Sequence, residues 1–145
     1  MKIVVASDHA GYQYKQEIKA FLKGKGIQVV DVGTNSIESC DYPIFAHEAA
    51  KKVADGDVEF GILVCSSGEG IAIAANKTKG VRAGIAYNDD VARLMRQHNN
   101  ANMIAFGASF MNKEEVLRRV DIFLSTEVEC GRHATRVQMI MDEEK

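Results

Sequence analysis

The sequence predicts a single α/β domain over residues 1–145, built on a parallel sheet with helices covering both faces. Three observations predict it. Short β-branched or wholly apolar runs alternate with longer amphipathic ones along the chain. The central run, Phe60 to Cys65, is apolar throughout, as a strand buried on both faces must be. No linker, internal repeat or low-complexity stretch interrupts the alternation.

Each element has its own signal. Lys2 to Ala6 is a β-branched run that stops at Ser7-Asp8-His9, the first expected strand. Tyr14, Ile18, Phe21 and Leu22 follow at helical spacing, and Gly24 and Gly26 end that helix. Ile27 to Val32 is the second strand. Gly33 to Pro43, rich in Gly, Asn, Ser and Asp, reads as a loop holding the only proline. A helix is expected over Ile44 to Ala54, then a turn at Asp55-Gly56-Asp57. Phe60 to Cys65 is the third strand, followed by Ser66-Ser67-Gly68-Glu69-Gly70 and a short helix to Ala75. Val81 to Ala86 and Met103 to Phe106 are the fourth and fifth strands, separated by a helix over Asp89 to His98. Val116, Leu117, Val120, Phe123 and Leu124 share one face of a helix over Lys113 to Leu124, and the tail ends as a charged helix.

Composition narrows the function. With 46% hydrophobic and 26% charged residues and a net charge of −2, the chain has neither the basic balance of a nucleic-acid protein nor the makeup of a disordered one. Glycine aside, no unbroken apolar run exceeds Ile71 to Ala75, so no segment is expected to span a membrane. The N-terminus reaches Asp8 before a signal-peptide core forms, so none is expected. Three widely spaced cysteines, an odd number, argue against a disulfide framework and for a reducing cytoplasm.

Ligands of parallel α/β sheets bind at the carboxyl ends of the strands. Those ends carry Ser7-Asp8-His9, the Asp41-Tyr42-Pro43 loop and the segment Cys65 to Ile71. The last leaves a buried strand and enters a helix. Its small residues let backbone N–H groups approach an anion or a reaction oxyanion. Gly68 and Gly70 fit part of a dinucleotide fingerprint, but Ile73 occupies the third glycine position and the loop follows the third strand rather than the first. No Gly-Lys-Ser/Thr ending and no C-x-x-C are present. Cys65 has two readings: a small buried residue closing a strand, or a thiol at a helix start, a setting that favours thiolate chemistry as base or nucleophile. The glycine loop beside it favours the second. Cys40 and Cys130 lack such a setting.

Four histidines are present, and none has the spacing of a zinc motif, so no metal is expected. His9 follows Asp8, His98 precedes Asn99-Asn100, His133 lies between Arg132 and Arg136, and His47 sits within a helix with no evident role. Arg132 and Arg136 are four apart on a helix and share a face. That suits a phosphate dianion, and equally a solvated face paired with acids. Asp8 reads also as a loop cap and Asn99-Asn100 as a helix stop.

Taken together, the segments Ser7-Asp8-His9-Ala10-Gly11, Gly33-Thr34, Asp41-Tyr42-Pro43, Cys65 to Gly70, Ile73 to Lys77, Arg96 to Asn102 and Gly131 to Arg136 resemble the type B ribose-5-phosphate isomerases, in the wider group that includes galactose-6-phosphate isomerase subunits. They occur in family order and cover nearly the whole chain. The resemblance implies a three-layer α/β/α, Rossmann-like domain with a five-stranded parallel sheet, in a homodimer or homotetramer with shared active sites. It implies aldose–ketose isomerisation of a phosphorylated sugar, foremost ribose 5-phosphate and ribulose 5-phosphate, through a cis-enediolate and without metal or organic cofactor. By the same resemblance Cys65 is the base, Ser67 handles the oxygen-bound proton, and the amides of Gly68, Glu69, Gly70 and Ile71 stabilise the enediolate. His98, helped by Asp8, opens the ring. Asn99 and Tyr42 contact the sugar, and His9, Arg132 and Arg136 hold the phosphate. This division fits the chemistry: one base, one oxyanion site and one acid suffice when a proton leaves and returns on one face.

Three departures stand out. Ser109 occupies the place of a phosphate-binding arginine that follows the fifth strand in family members. Ser66-Ser67 replaces Gly-Thr. Glu69 puts a carboxylate into the loop, two positions before the place where some relatives carry a glutamate base, here Ile71. Glu69 is thus the alternative base. The alternative functions are isomerisation of a six- or four-carbon sugar phosphate, or phosphosugar binding without turnover.

Overall fold

The computed structural model describes residues 1–145. Five strands, β1 (Lys2–Ser7), β2 (Gln28–Asp31), β3 (Phe60–Cys65), β4 (Ala83–Ile85) and β5 (Met103–Gly107), form one parallel sheet in the order β2-β1-β3-β5-β4. The helices are α1 (Tyr12–Gly24), α2 (Tyr42–Ala54), α3 (Glu69–Ala75), α4 (Asp89–Gln97), α5 (Lys113–Ser125) and α6 (Arg132–Asp142), with a 3-10 turn at His9–Gly11. No helix is long and apolar enough to cross a membrane.

The period-two alternation of strand side chains divides the core into two layers. Ile3, Val5, Ile62, Val64, Ile104 and Phe106 face α1, α4 and α5. Val4, Ala6, Leu63, Cys65, Met103 and Ala105 face α2 and α3. The second layer is rich in alanine on the helix side, with Ala46, Ala49, Ala50, Ala72, Ala74 and Ala75 buried, so those helices lie close on the sheet. Helix α6 joins neither layer and buries no residue.

Element boundaries differ from expectation where local chemistry decides. α2 begins at Tyr42, not Ile44, because Pro43 fits the first helical turn, where no N–H is needed. β4 shortens from the expected Val81–Ala86 to Ala83–Ile85. Val81 N–H closes a turn on the Thr78 carbonyl and Arg82 N–H bonds the Asn102 side chain, so neither joins the ladder.

The strand order turns back between β1 and β3, and this puts a crevice at their carboxyl ends. Two side-chain clusters hold its rim. The Lys15 ammonium, only 1% exposed, bonds both Asp31 carboxylate oxygens and the Thr34 carbonyl; Lys19 adds a second contact to Asp31. On the opposite side of the sheet centre, Arg119 bonds Asp89, Glu115 and the Ala86 carbonyl and so ties α5 to the start of α4.

Candidate active site

At the carboxyl end, Asp8 follows β1 and its N–H donates to the Val64 carbonyl at 3.3 Å. Its carboxylate accepts the Gly11 N–H at 3.2 Å and caps the 3-10 turn. Gly11 lies so close to β3 that a Cβ there would overlap the Val64 carbonyl. His9 Nδ1 accepts the Cys40 N–H at 3.2 Å. With Nδ1 accepting, the ring has Nε2 left as its N–H donor.

The segment after β3 is built around Cys65, buried at the strand end. Gly68 takes φ +84°, a left-handed conformation that glycine adopts freely. That turn aims its N–H at the Cys65 Sγ, 3.2 Å away. The Glu69 N–H donates to Ser67 Oγ at 3.2 Å. The next two amides, of Gly70 and Ile71, have no partner in the chain. They are the unpaired donors at the start of α3, beside the thiol, where the helix carries partial positive charge. Gly70 passes against the half-exposed Tyr42 ring, with room for no side chain: a Cβ would sit 2.5 Å from Tyr42 Cζ. Ser109 is tied back to the loop, its Oγ 2.8 Å from Ser66 Oγ and its N–H on the Ser66 carbonyl. The exposed Glu69 carboxylate has no bonded partner.

The other candidates lie at the opposite end of the sheet. α4 leaves the carboxyl side of β4 and runs back to the amino end of β5, carrying His98 and Asn99 with it. Asn100 takes φ +44° in the turn that follows. Arg96 braces this turn: its guanidinium packs over Phe60 and Phe123 and bonds the Asn100 side chain and the Ala101 carbonyl. Arg82 bonds the Asn99 and Asn100 carbonyls. The His98 ring stacks on His133, centroids 3.8 Å apart and planes within 9°, and its Nε2 lies 3.9 Å from Glu129 Oε2. Partial desolvation and the positive charge of His98 and Arg132 hold His133 below the usual histidine pKa. Arg132 and Arg136 are exposed and form no ion pair. A cavity of about 440 Å³ opens here, not at the glycine loop, between Arg82, Gly84, Met95, Asn99, Ile140 and Glu144.

Comparison with known proteins places this geometry. The profile of the ribose/galactose isomerase family matches residues 3–140. The chain belongs to that family. It is 45% identical over 139 residues to ribose-5-phosphate isomerase B of Escherichia coli, covering 96% of this chain and 93% of the relative. The structure of ribose-5-phosphate isomerase B from Clostridium thermocellum superimposes with a TM-score of 0.98 at 46% identity, covering 99% and 97% of the two chains. The Mycoplasma genitalium ribose-5-phosphate isomerase B, solved with bound ribulose-5-phosphate, superimposes with a TM-score of 0.95 at 41% identity, covering 99% and 95%.

In this isomerase-family fold the expected residues fall into two groups. Asp8, His9, Tyr42, Cys65, Ser67, Gly68, Glu69, Gly70 and Ile71 gather at the carboxyl end. His98, Asn99, Arg132 and Arg136 gather at the amino end. Cys65 pairs with Gly107, whereas His98 precedes Met103, so the whole length of β5, about 13 Å for four steps, separates the groups. Within one chain Asp8 therefore does not assist His98. The carboxylate beside His98 is that of Glu129, tied in place by its N–H on the Gln97 carbonyl at 3.0 Å. Sequence reasoning gave Glu129 and Arg96 no role. Arg96 lies four residues before Asn100, the one signal helical spacing offered, whereas Glu129 meets His98 only because the chain ahead of α6 crosses the end of α4.

Proposed function

We propose that the chain is an aldose–ketose isomerase whose substrate pair is ribose 5-phosphate and ribulose 5-phosphate, and that its active site is made by two copies. The observation that supports the chemistry is the seating of Cys65 Sγ beside the unpartnered Gly70 and Ile71 amides. The Cys65 thiolate takes the proton from C2 of the open-chain aldose and returns it to C1 of the cis-enediolate, on the same face. Ser67 carries the hydroxyl proton from O2 to O1. The Gly70 and Ile71 amides meet the charge that develops on oxygen, where fixed donors act most strongly. No cofactor enters these steps, since the proton and the charge are both handled by side chains and backbone.

The separation of the two groups supports the dimer. A second copy laid with its amino end against the glycine loop brings its His98 to the sugar ring as the ring-opening acid, and its Arg132 and Arg136 to the phosphate. His9 adds its Nε2 proton donor from the first copy, and Asn99 and Tyr42 contact sugar hydroxyls. The exposed Met139 and Ile140 on α6 are then covered. The three free cysteines suit a reducing compartment, the cytoplasm.

One observation favours a second reading. Ser109 spends its hydroxyl on Ser66 instead of offering a charge to phosphate, which fits a six- or four-carbon sugar phosphate. Steady-state rates with ribose 5-phosphate, galactose 6-phosphate, allose 6-phosphate and erythrose 4-phosphate test both. The highest kcat/KM on ribose 5-phosphate supports the proposal, and turnover of another sugar alone replaces it. Binding of these phosphates with no turnover would assign a phosphosugar-binding module.

A further inference from the structure

His98, Glu129 and His133 each offer one ligand atom, and these atoms all lie within 4.8 Å of one another. They come from the end of α4, the segment ahead of α6 and the first turn of α6. We propose that they bind a divalent transition ion of the zinc, cobalt or nickel class, and that the bound ion inhibits the enzyme. The inhibitory half rests on the isomerase reading above; the site itself does not.

Two imidazole nitrogens and one carboxylate oxygen form a three-ligand set with a fourth position left for water. None of the three is taken by a stronger partner. Neither ring forms a hydrogen bond in the chain, and the Glu129 carboxylate meets no lysine or arginine, only the His98 nitrogen 3.9 Å away. The backbone bond from Glu129 N–H to the Gln97 carbonyl holds the carboxylate at the turn that carries His98. All three side chains are at least partly exposed, so an ion has a path in.

The resting stack is not yet a coordination sphere. Ring-nitrogen lone pairs lie in the ring planes, and the two planes are nearly parallel. Rotation of His133 about its Cβ–Cγ bond, a broad and soft torsion, turns its nitrogen toward the other two ligands. Helix α6 buries no side chain and so does not lock that ring. Arg132 and Arg136 face the same region and repel a cation. This selects ions whose bonds to imidazole are strong and rejects magnesium and calcium, which prefer all-oxygen sites. An ion on His98 removes the acid needed for ring opening and stops turnover of the cyclic sugar.

Cobalt(II) titrated into the full chain is the direct probe, because its visible absorption reports low-coordinate binding and needs no substrate. The expected result is a saturable visible band at one ion per chain. Glu129→Gln and His133→Ala each weaken it about tenfold or more, while Cys130→Ser leaves it unchanged. Zinc is expected to inhibit the wild type reversibly, with recovery on adding a chelator. Glu129→Gln is expected to lose the zinc sensitivity, read as the ratio of its own rates with and without zinc. No visible band, or a band that survives in His133→Ala and Glu129→Gln but disappears in Cys130→Ser, overturns the site. Cobalt binding at the site with no zinc inhibition of an active enzyme overturns the inhibitory role. An enzyme inactive on every sugar phosphate but showing the band would remove the isomerase reading and leave the site standing.

Discussion

The Gly68 N–H meets the Cys65 Sγ at 3.2 Å, and the left-handed turn at Gly68 aims it there. This contact fixes the sulfur beside the two free amides of α3. Cys65→Ala removes the base and leaves a small side chain in an alanine-lined layer. Isomerisation is expected to fall by about a hundredfold to ten-thousandfold, the usual range for loss of a positioned base, with an unchanged circular dichroism spectrum. Full activity in Cys65→Ala would transfer the role of base to another group, with Glu69 the first to test.

The separation of Cys65 from His98 along β5 predicts complementation. Cys65→Ala and His98→Asn are each expected to turn over cyclic ribose 5-phosphate poorly. Co-refolded in equal amounts, they form mixed dimers in which one of two sites holds both native residues. Random pairing in a two-fold dimer then restores about a quarter of wild-type activity. Mixtures no more active than the single variants would place both residues in a site within one chain.

Two glycines separate catalytic from structural effects. A Cβ at Gly70 meets the Tyr42 ring, the movable end of a half-exposed side chain. Gly70→Ala is therefore expected to keep its Tm within a few degrees while kcat/KM drops about a hundredfold, as displaced positioning groups allow. A Cβ at Gly11 meets the β3 backbone, which cannot move. Gly11→Ala is expected to lose about 3 kcal/mol or more in denaturant titrations. Equal behaviour of the two variants would contradict this division.

Asp31, the one lowered carboxyl tied to a buried lysine, contributes to the loss of stability in acid. Burial pushes its carboxyl up, but hydrogen bonds and charge from Lys15 and Lys19 outweigh burial and hold it below the usual carboxylate range. The folded pKa is lower than the unfolded one, so the stabilisation is complete above about pH 5 and is lost as pH falls through about 4 toward the folded value. Asp31→Asn leaves the Lys15 ammonium buried with the Thr34 carbonyl and is expected to cost on the order of 3 kcal/mol at neutral pH. Thermal melts from pH 7 to pH 3 should show the gap between variant and wild type closing only at the acid end. A constant gap would assign the loss to packing.

The layered core was legible because its signals are local. Phe60 to Cys65 is apolar at every position, and the strand side chains then sort themselves by period two into the layers seen here. The glycine loop was legible in composition, but which amides stay free was not: that depends on Ser67 and Cys65 each occupying one N–H. The division of the site residues between the two ends of the sheet had no signal in the sequence; the resemblance implied only active sites shared between copies. Its physical cause is that a helix leaving an edge strand must return to the amino end before β5 begins. Glu129 and His133 beside His98 had no signal, because the segment from Ser125 to Gly131 has no periodicity to place it.

Proton NMR of ribose 5-phosphate with the wild-type chain in deuterated water tests the central claim most directly. The account predicts conversion to ribulose 5-phosphate with one deuterium entering at C1, and both slowed about a hundredfold or more in Cys65→Ala. Conversion without deuterium entry would point to a shielded proton or to hydride transfer and would contradict solvent-exchanging base chemistry at Cys65. No conversion by the folded wild type would contradict the assigned substrate.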